Sequence, residues 1–360
     1  MHIIDKSKKV ALYSNTWNAS GGGGIVYVLA IAKILSKNGF DVTVFFYETI
    51  ELEELHQRYE TQGLKVKIHR RIAMHFFSQL FFAFKEWMAF DIVILQSIAF
   101  PRLTFVKKSY ILCDFPMKKI QSWSEKVRLK SWKNIIVNSE YTKKWVRNYW
   151  NREGTVFYPP IDRPSTFNLS KNLDLVCVGR FNKGKRSKRQ DVLITVFKDL
   201  IAKGYADVNL HLMGYNQDNN YVNQLKQSAI DLPVFFYENC SAEKRIAILN
   251  QSAVFISACG YENNEKEYPM LVEHYGISVV EAMAQGCIPL VIGKGGHKET
   301  VNHKINGYHW FTKEELKEVL INLLESKQLR EEMSAAAYSK SEEYSFEKLE
   351  EKILNIFNES

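Results

Sequence analysis

Two carboxylates eight positions apart, Glu273 and Glu281 in EHYGISVVEAMAQGC, bracket a glycine that opens an apolar helical run. Gly276 permits a tight backbone turn. A helix starting near Ile277 and Ser278 would then present free N–H groups to an anion such as a diphosphate. Glu273, ahead of that terminus, can face whatever lies beyond the phosphates, and Glu281, two turns later, can accept hydrogen bonds from a ribose diol. Together these groups suit a sugar nucleotide. An amphipathic helix with two solvated glutamates has the same spacing, so the pair carries weight only with other residues beside it.

Such residues stand on both sides. Upstream, LDLVCVGRFNKGKRSKRQDVLITVF reads as a strand, Leu173 to Val178, ending in Gly179-Arg180, then a basic loop and a helix from about Gln190. Arg180 offers a planar fork and Lys185 or Lys188 a point charge, which together can neutralise a departing diphosphate; a solvated basic loop reads the same way. Downstream, IPLVIGKGGHKETV is a short strand, three glycines (Gly293, Gly295, Gly296) and a helix carrying Glu299. The glycines allow either close backbone approach to a ligand or a plain tight turn. In the first half, the run Gly21 to Gly24, with Gly23 and Gly24 nearest the following helix, offers the same choice between backbone approach to a diphosphate or an acceptor and a flexible turn.

Strand ends and helix starts must hold these groups in place. The first half reads as strands near Lys9 to Tyr13, Val42 to Tyr47, Val66 to His69, Ile92 to Leu95, Tyr110 to Cys113, Ile135 to Asn138 and Thr155 to Tyr158. Helices near Ile25 to Lys37, Glu51 to Thr61 and Glu140 to Trp150 separate several of them. The proline-rich YPPIDRPST is a stiff connection, after which strands recur at Leu175 to Val178, Val208 to Met213, Val234 to Phe236, Val254 to Ser257 and Pro289 to Ile292. Such alternation implies parallel, doubly wound α/β sheets. The polar ACGYENNEKEYPMLVEHYG between strand and Glu273 is either a loop that closes over a ligand or an ordinary solvated excursion.

In this order the segments resemble family 4 of the glycosyltransferases, the large retaining GT-B class. ALYSNTWNASGGGGIVYVLAIAKIL is similar to that family's first strand and glycine-rich loop, VNSEYTKKWVRNYW to its later strand-helix unit and VFYPPID to its hinge. The resemblance implies two Rossmann-like doubly wound domains facing a central cleft: residues 1–164, with a C-terminal helix at about 345–360 packing back on them, and residues 165–344, which bind the donor. It implies that Arg180 and a loop lysine hold the donor diphosphate, that Glu273 contacts the transferred sugar and that Glu281 holds the ribose. The basic loop is longer than the family's usual spacing; Lys185 keeps the distance from Arg180, whereas Lys188 keeps the distance to the helix and is favoured. Where many members carry a histidine, YILCDFPM puts Asp114, a catalytic candidate by that position, and the identity of any catalytic acid or base stays open.

The implied activity is metal-independent, retaining transfer of a hexose, mannose-like by preference, from a nucleoside-diphosphate sugar to a glycan or lipid-linked glycan. No cofactor is expected, and the chain has no D-x-D of the kind that chelates a metal in the other main glycosyltransferase architecture. The alternatives are a GT-B sugar-nucleotide epimerase or hydrolase and a catalytically silent nucleotide-sugar-binding scaffold subunit. GGGG lacks the G-x-G-x-x-G spacing of a dinucleotide-dependent oxidoreductase.

A chain of 360 residues with 46% hydrophobic content can bury two cores. Five singly placed cysteines fit reduced thiols, and MHIIDKSKKV lacks the apolar core of a signal peptide, so a cytoplasmic protein is expected. Residues 1–164 carry 25 Lys+Arg against 14 Asp+Glu, a net +11, and the remainder 23 against 26, a net −3. The basic clusters flank RRIAMHFFSQLFFAFKEWMAF, whose apolar run from Ile72 to Phe84 is too short to span a bilayer and is followed by Lys85-Glu86. It reads either as a buried helix of the first domain or as an interfacial helix on the anionic inner face of a membrane. Nucleic acid is not an expected partner, because no binding motif accompanies the charge.

Overall fold

The computed structural model describes residues 8–14, 23–46, 63–68, 76–97, 101–117, 119–184 and 187–358. The chain forms two compact units, Met1–Pro160 with Phe346–Ser360, and Ile161–Ser345.

In the first unit, β1 (Lys9–Ser14), β2 (Asp41–Phe46), β3 (Lys65–Ile68), β4 (Ile92–Gln96), β5 (Lys108–Cys113), β6 (Asn134–Val137) and β7 (Thr155–Val156) form one parallel sheet. Their order is β3-β2-β1-β4-β5-β6-β7, reversing direction between β1 and β4. Central strands buried on both faces must be apolar throughout, as Val10 to Tyr13 and Ile92 to Leu95 are. One face, with Leu12, Val44 and Ile94, packs on the helix Gly23–Lys37, which begins two residues before the expected Ile25 and takes Gly23 and Gly24 into its first turn. Gly21, Gly22 and the expected helix Glu51 to Thr61 lie outside the described residues.

The C-terminal helix Phe346–Asn358 presents Leu349, Ile353 and Phe357 at helical spacing, all buried in that same face. Phe357 meets Tyr110 at 5.0 Å and Phe40 at 6.1 Å between ring centres. Glu350 accepts from Lys37 Nζ at 2.9 Å, tying this helix to the Gly23–Lys37 helix.

The aromatic run forms the helix Phe76–Ala89, neither wholly buried nor amphipathic in the usual sense. Gln79, Ala83 and Glu86 point inward; Phe81, Phe84, Trp87 and Met88 are 49–70% exposed. Glu86, 3% exposed, binds Arg102 through both carboxylate oxygens and accepts from Thr104 Oγ1 at 3.1 Å. Arg102 lies over Phe82 and Tyr13 at 4.5 and 4.8 Å, and its carbonyl accepts from Trp132 Nε1 at 2.7 Å. A buried carboxylate is tolerable only when paired and hydrogen-bonded in this way.

The second unit repeats the plan with β8 (Asn172–Val178), β9 (Leu210–Gly214), β10 (Val234–Glu238), β11 (Ser252–Ser257), β12 (Ile288–Ile292) and β13 (Tyr308–Trp310), ordered β10-β9-β8-β11-β12-β13 and all parallel. Direction reverses between β8 and β11, so the loops leaving those strands diverge and open a crevice at their carboxyl ends. The helices Gln190–Ala202 and Lys313–Glu325 cover one face, and Ile277–Ala284 and Lys327–Ser341 the other. The five cysteines are free thiols, four of them buried and Cys240 partly so. Among the described residues no helix is long and apolar enough to cross a membrane.

Candidate functional site

In the second unit, three loops meet at the β8–β11 reversal. β8 ends at Val178, and Gly179-Arg180 follow with Gly179 N–H donating to Met213 O at 2.8 Å. Gly214, at the end of β9, must be glycine, because a Cβ there would lie 2.0 Å from Gly179 O. Gly179 faces the Lys188 side chain, whose Cγ would sit 2.6 Å from an added Cβ, so a side chain there would displace Lys188. The bare backbone lets Lys188 reach inward past β8.

Lys188 Nζ binds Glu273 Oε2 and stands 3.8 Å from Cys259 Sγ. Arg180, Lys188, Cys259 and the segment Met270 to His274 line one solvent-open cavity of about 90 Å³. The Arg180 guanidinium has no hydrogen-bond or ion-pair partner among the described residues. Its charge is near enough to be felt at Lys188. Burial works against the Lys188 charge, but Cys259 and Glu273 outweigh it and hold the ammonium above its ordinary pKa. Burial likewise opposes the Glu273 charge, yet Lys188, with help from His297 and His274, brings that carboxyl down to about 2. Both side chains are about a fifth exposed, 21% and 19%, so the cavity holds a charged pair that a ligand can reach.

The glycines after β12 hold Glu273 itself. Gly296 N–H donates to Glu273 O at 2.8 Å, and a Cβ on Gly295 (φ 62°) would fall 2.1 Å from that carbonyl oxygen. A Cβ on Gly296 would fall 2.2 Å from His274 O. Gly295 and Gly296 thus approach the chain's own Glu273–His274 backbone, a close packing distinct from both ligand approach and a plain turn. The acidic loop ahead of Glu273 is strapped down: Glu262 pairs with Arg189 at 3.1 Å, Glu265 with Lys298 at 2.9 Å, and Lys294 Nζ donates to Asn263 O at 2.8 Å.

Gly276 is the N-cap of the helix Ile277–Ala284 with φ 95°, a left-handed backbone that suits glycine, and no side chain caps it. The N–H groups of Ile277 and Ser278 have no partner among the described residues, the arrangement that attracts an anion. His297, fully buried, donates from Nδ1 to Ile292 O at 3.0 Å, and its Nε2 has no partner among the described residues. Burial drives its pKa down to about 4 against the pull of Glu273, so it is neutral beside the ion pair.

Glu281, on the same helix, accepts from Arg245 Nη2 at 3.3 Å. Burial raises its pKa, Arg245 opposing. Arg245, Cys259 and His297 were not foreseen. A single arginine in the helix Ala242–Gln251 gives no signal of its partner, whereas His297 adjoins the glycine run and Cys259 opens the polar loop ahead of Glu273. Lys185 lies outside the described residues. Asp114, Gly23 and Gly24 belong to the first unit, at its own strand reversal: Gln96 donates to Asp114 Oδ2 at 2.8 Å and to Gly24 O at 3.2 Å while accepting from Ser14 Oγ at 2.9 Å. Among the described residues no three His, Cys, Asp or Glu side chains could together hold a metal ion.

The Lys188–Glu273 pair sets a pH dependence. A carboxyl lowered in the folded chain contributes stability that is fully present above its ordinary pKa of 4.5 and lost as pH falls through about 2. Urea unfolding of wild type and Glu273→Gln should therefore differ most above pH 4.5 and converge as pH approaches 2; a gap that widens toward acid would show the pair to be otherwise.

The family model described as glycosyl transferases group 1 matches residues 160–340. A GDP-Man:Man(3)GlcNAc(2)-PP-Dol alpha-1,2-mannosyltransferase of Caenorhabditis elegans is 29% identical over 214 residues, covering 53% of this chain and 43% of that protein. The chain thus spans less than half the length of that relative. The alpha-1,3/1,6-mannosyltransferase ALG2 of Mus musculus is 24% identical over 347 residues, covering 80% of each. Among solved structures, a glycosyltransferase of Rickettsia africae superposes with a TM-score of 0.77 at 17% identity, covering 98% of each chain. The Anabaena protein HepE, solved with UDP and glucose, superposes at 0.73 and 16%, covering 98% of this chain and 100% of that one. At such identities the likeness shows the shared fold.

Proposed function

The chain belongs to the group 1 glycosyl transferases and has their GT-B fold, and from that premise we propose that it is a retaining hexosyltransferase. It transfers a mannose-like hexose from a nucleoside-diphosphate sugar to a lipid-linked glycan. The observation that carries this reading is the convergence of Arg180, Lys188 and Glu273 on one cavity. The names of the mannosyltransferase relatives support the choice of sugar and acceptor.

In this reading Arg180, Lys188 and the N–H groups of Ile277 and Ser278 neutralise the diphosphate as its bond to the anomeric carbon lengthens. With that much positive charge on the chain, the transfer calls for no divalent metal. Glu273 faces the transferred sugar, and Glu281, oriented by Arg245, accepts from the ribose diol. The acceptor hydroxyl enters on the side the phosphate leaves, so configuration is retained without a protein nucleophile. An acceptor on a lipid carrier makes this a peripheral enzyme at the cytoplasmic face of a membrane.

Arg180→Ala and Lys188→Ala should each weaken binding of GDP or UDP by about 1.5–3 kcal/mol while leaving nucleoside binding nearly unchanged. Titration calorimetry decides this, and unchanged diphosphate affinity in both variants would remove the proposed phosphate site. Lys185→Ala tests the register: a loss confined to that variant would transfer the role from Lys188.

A further inference from the structure

The helix Phe76–Ala89 is built the wrong way round for a helix in water. Its inward stripe includes Gln79 and Glu86, 7% and 3% exposed, while its outward stripe carries Phe81 (61%), Phe84 (49%), Trp87 (51%) and Met88 (70%). Phe81, Phe84, Lys85 and Met88 recur at i, i+3, i+4 and i+7 and so share one side, with Trp87 at its margin. Within it the Phe84 and Trp87 rings are 5.8 Å apart, and Lys85 Nζ lies 4.5 Å from the centre of the Phe81 ring. Isolated exposed apolar side chains are ordinary on a protein surface, but four large ones within eight residues of one helix mark an interaction surface. The Arg102 pairing of Glu86 keeps this orientation, because turning the helix over would strip Glu86 of Arg102 and Thr104.

We infer that this outward face is a docking surface for an anionic phospholipid bilayer, with Phe84, Trp87 and Met88 seated at the headgroup boundary and Lys85 among the phosphates. The inference deepens the lipid-linked acceptor reading and takes its purpose from it, while the surface itself rests on the helix. Charge selects the occupant. The unit carrying the helix has 26 Lys+Arg against 17 Asp+Glu, whereas the other has 22 against 23. A second copy would bring the same positive excess against itself; an anionic headgroup layer complements it. Aromatic rings beside a lysine on one helical face are the composition that settles at a lipid interface. At fourteen residues the helix is about 21 Å long, enough to lie in the interface and too short to cross it.

Flotation of the full chain with phosphatidylcholine vesicles, with and without phosphatidylglycerol, tests this. Wild type should float with the anionic vesicles at low salt and progressively less as salt is added. Phe84→Ser with Trp87→Ser should lower the partition by at least tenfold, and Lys85→Ala by about fivefold. These side chains are exposed, and circular dichroism should show the variants folded. Failure of wild type to float at low salt, or equal flotation of wild type and the double variant, overturns the proposal. So does sedimentation showing a wild-type dimer that the double variant abolishes without any flotation. Calorimetry with GDP and UDP on the same preparations separates the two readings. Retained nucleotide affinity with lost flotation in the variants is expected, and flotation without nucleotide binding in wild type would sink the donor reading while leaving the surface standing.

Discussion

Glu273→Gln should lower sugar transfer by a hundredfold or more, about 2.7 kcal/mol of transition-state stabilisation, while nucleotide affinity stays within a few-fold of wild type. The substitution keeps the size of the side chain and removes its charge. That charge matters twice. It can stabilise the positive character that develops at the anomeric carbon, and it anchors Lys188, whose ammonium bonds directly to Glu273 Oε2. Glu281→Gln supplies the contrast, because a weaker ribose acceptor should appear as poorer donor binding. Initial rates of transfer set beside nucleotide dissociation constants for the three proteins decide between these roles. Equal turnover in wild type and Glu273→Gln would end the mechanism proposed here, and nucleotide-sugar binding without transfer to any acceptor would favour a scaffold subunit.

Gly295→Ala should cost about 3–4 kcal/mol of stability, combining a left-handed backbone that a Cβ disfavours with overpacking against a fixed carbonyl. The added carbon would sit 2.1 Å from Glu273 O and 2.9 Å from Val272 Cγ2. Flexible side chains yield to such crowding, but a backbone oxygen that also accepts from Gly296 N–H moves only with its loop. The loop would have to lift, taking Glu273 from Lys188. Thermal unfolding should therefore show a lowered midpoint, and any folded fraction should transfer sugar more slowly than wild type. Gly184→Ala is a fitting control, with nothing within 4 Å of the added carbon. Equal losses at Gly184 and Gly295 would show that the contact with Glu273 is not what matters.

Local rules carried much of this protein. Unbroken β-branched and aliphatic runs such as Val10 to Tyr13 and Ile288 to Ile292 identify strands covered on both sides, and their alternation with helices implies parallel sheets. Gly276 ahead of an apolar helix announces an uncapped N-terminus, a property of neighbouring residues alone. Pairings across the fold were not legible in this way. Lys188 and Glu273 are 85 positions apart, and Arg245 and Glu281 36. Lys188 and Glu273 meet because β8 and β11 are neighbours in the sheet and the loops leaving them share one end, and Arg245 and Glu281 meet because the helices before and after β11 pack side by side, which no local periodicity encodes. The role of the glycines after β12 was equally hidden, since a turn and a close approach ask for the same residue, and only the position of Glu273 O separates them. The helix Phe76–Ala89 shows the limit most plainly. Its composition suits a core helix as well as a surface one, and the choice of inward stripe was made by Arg102, a charge that Glu86 could reach only once both were folded against the same sheet.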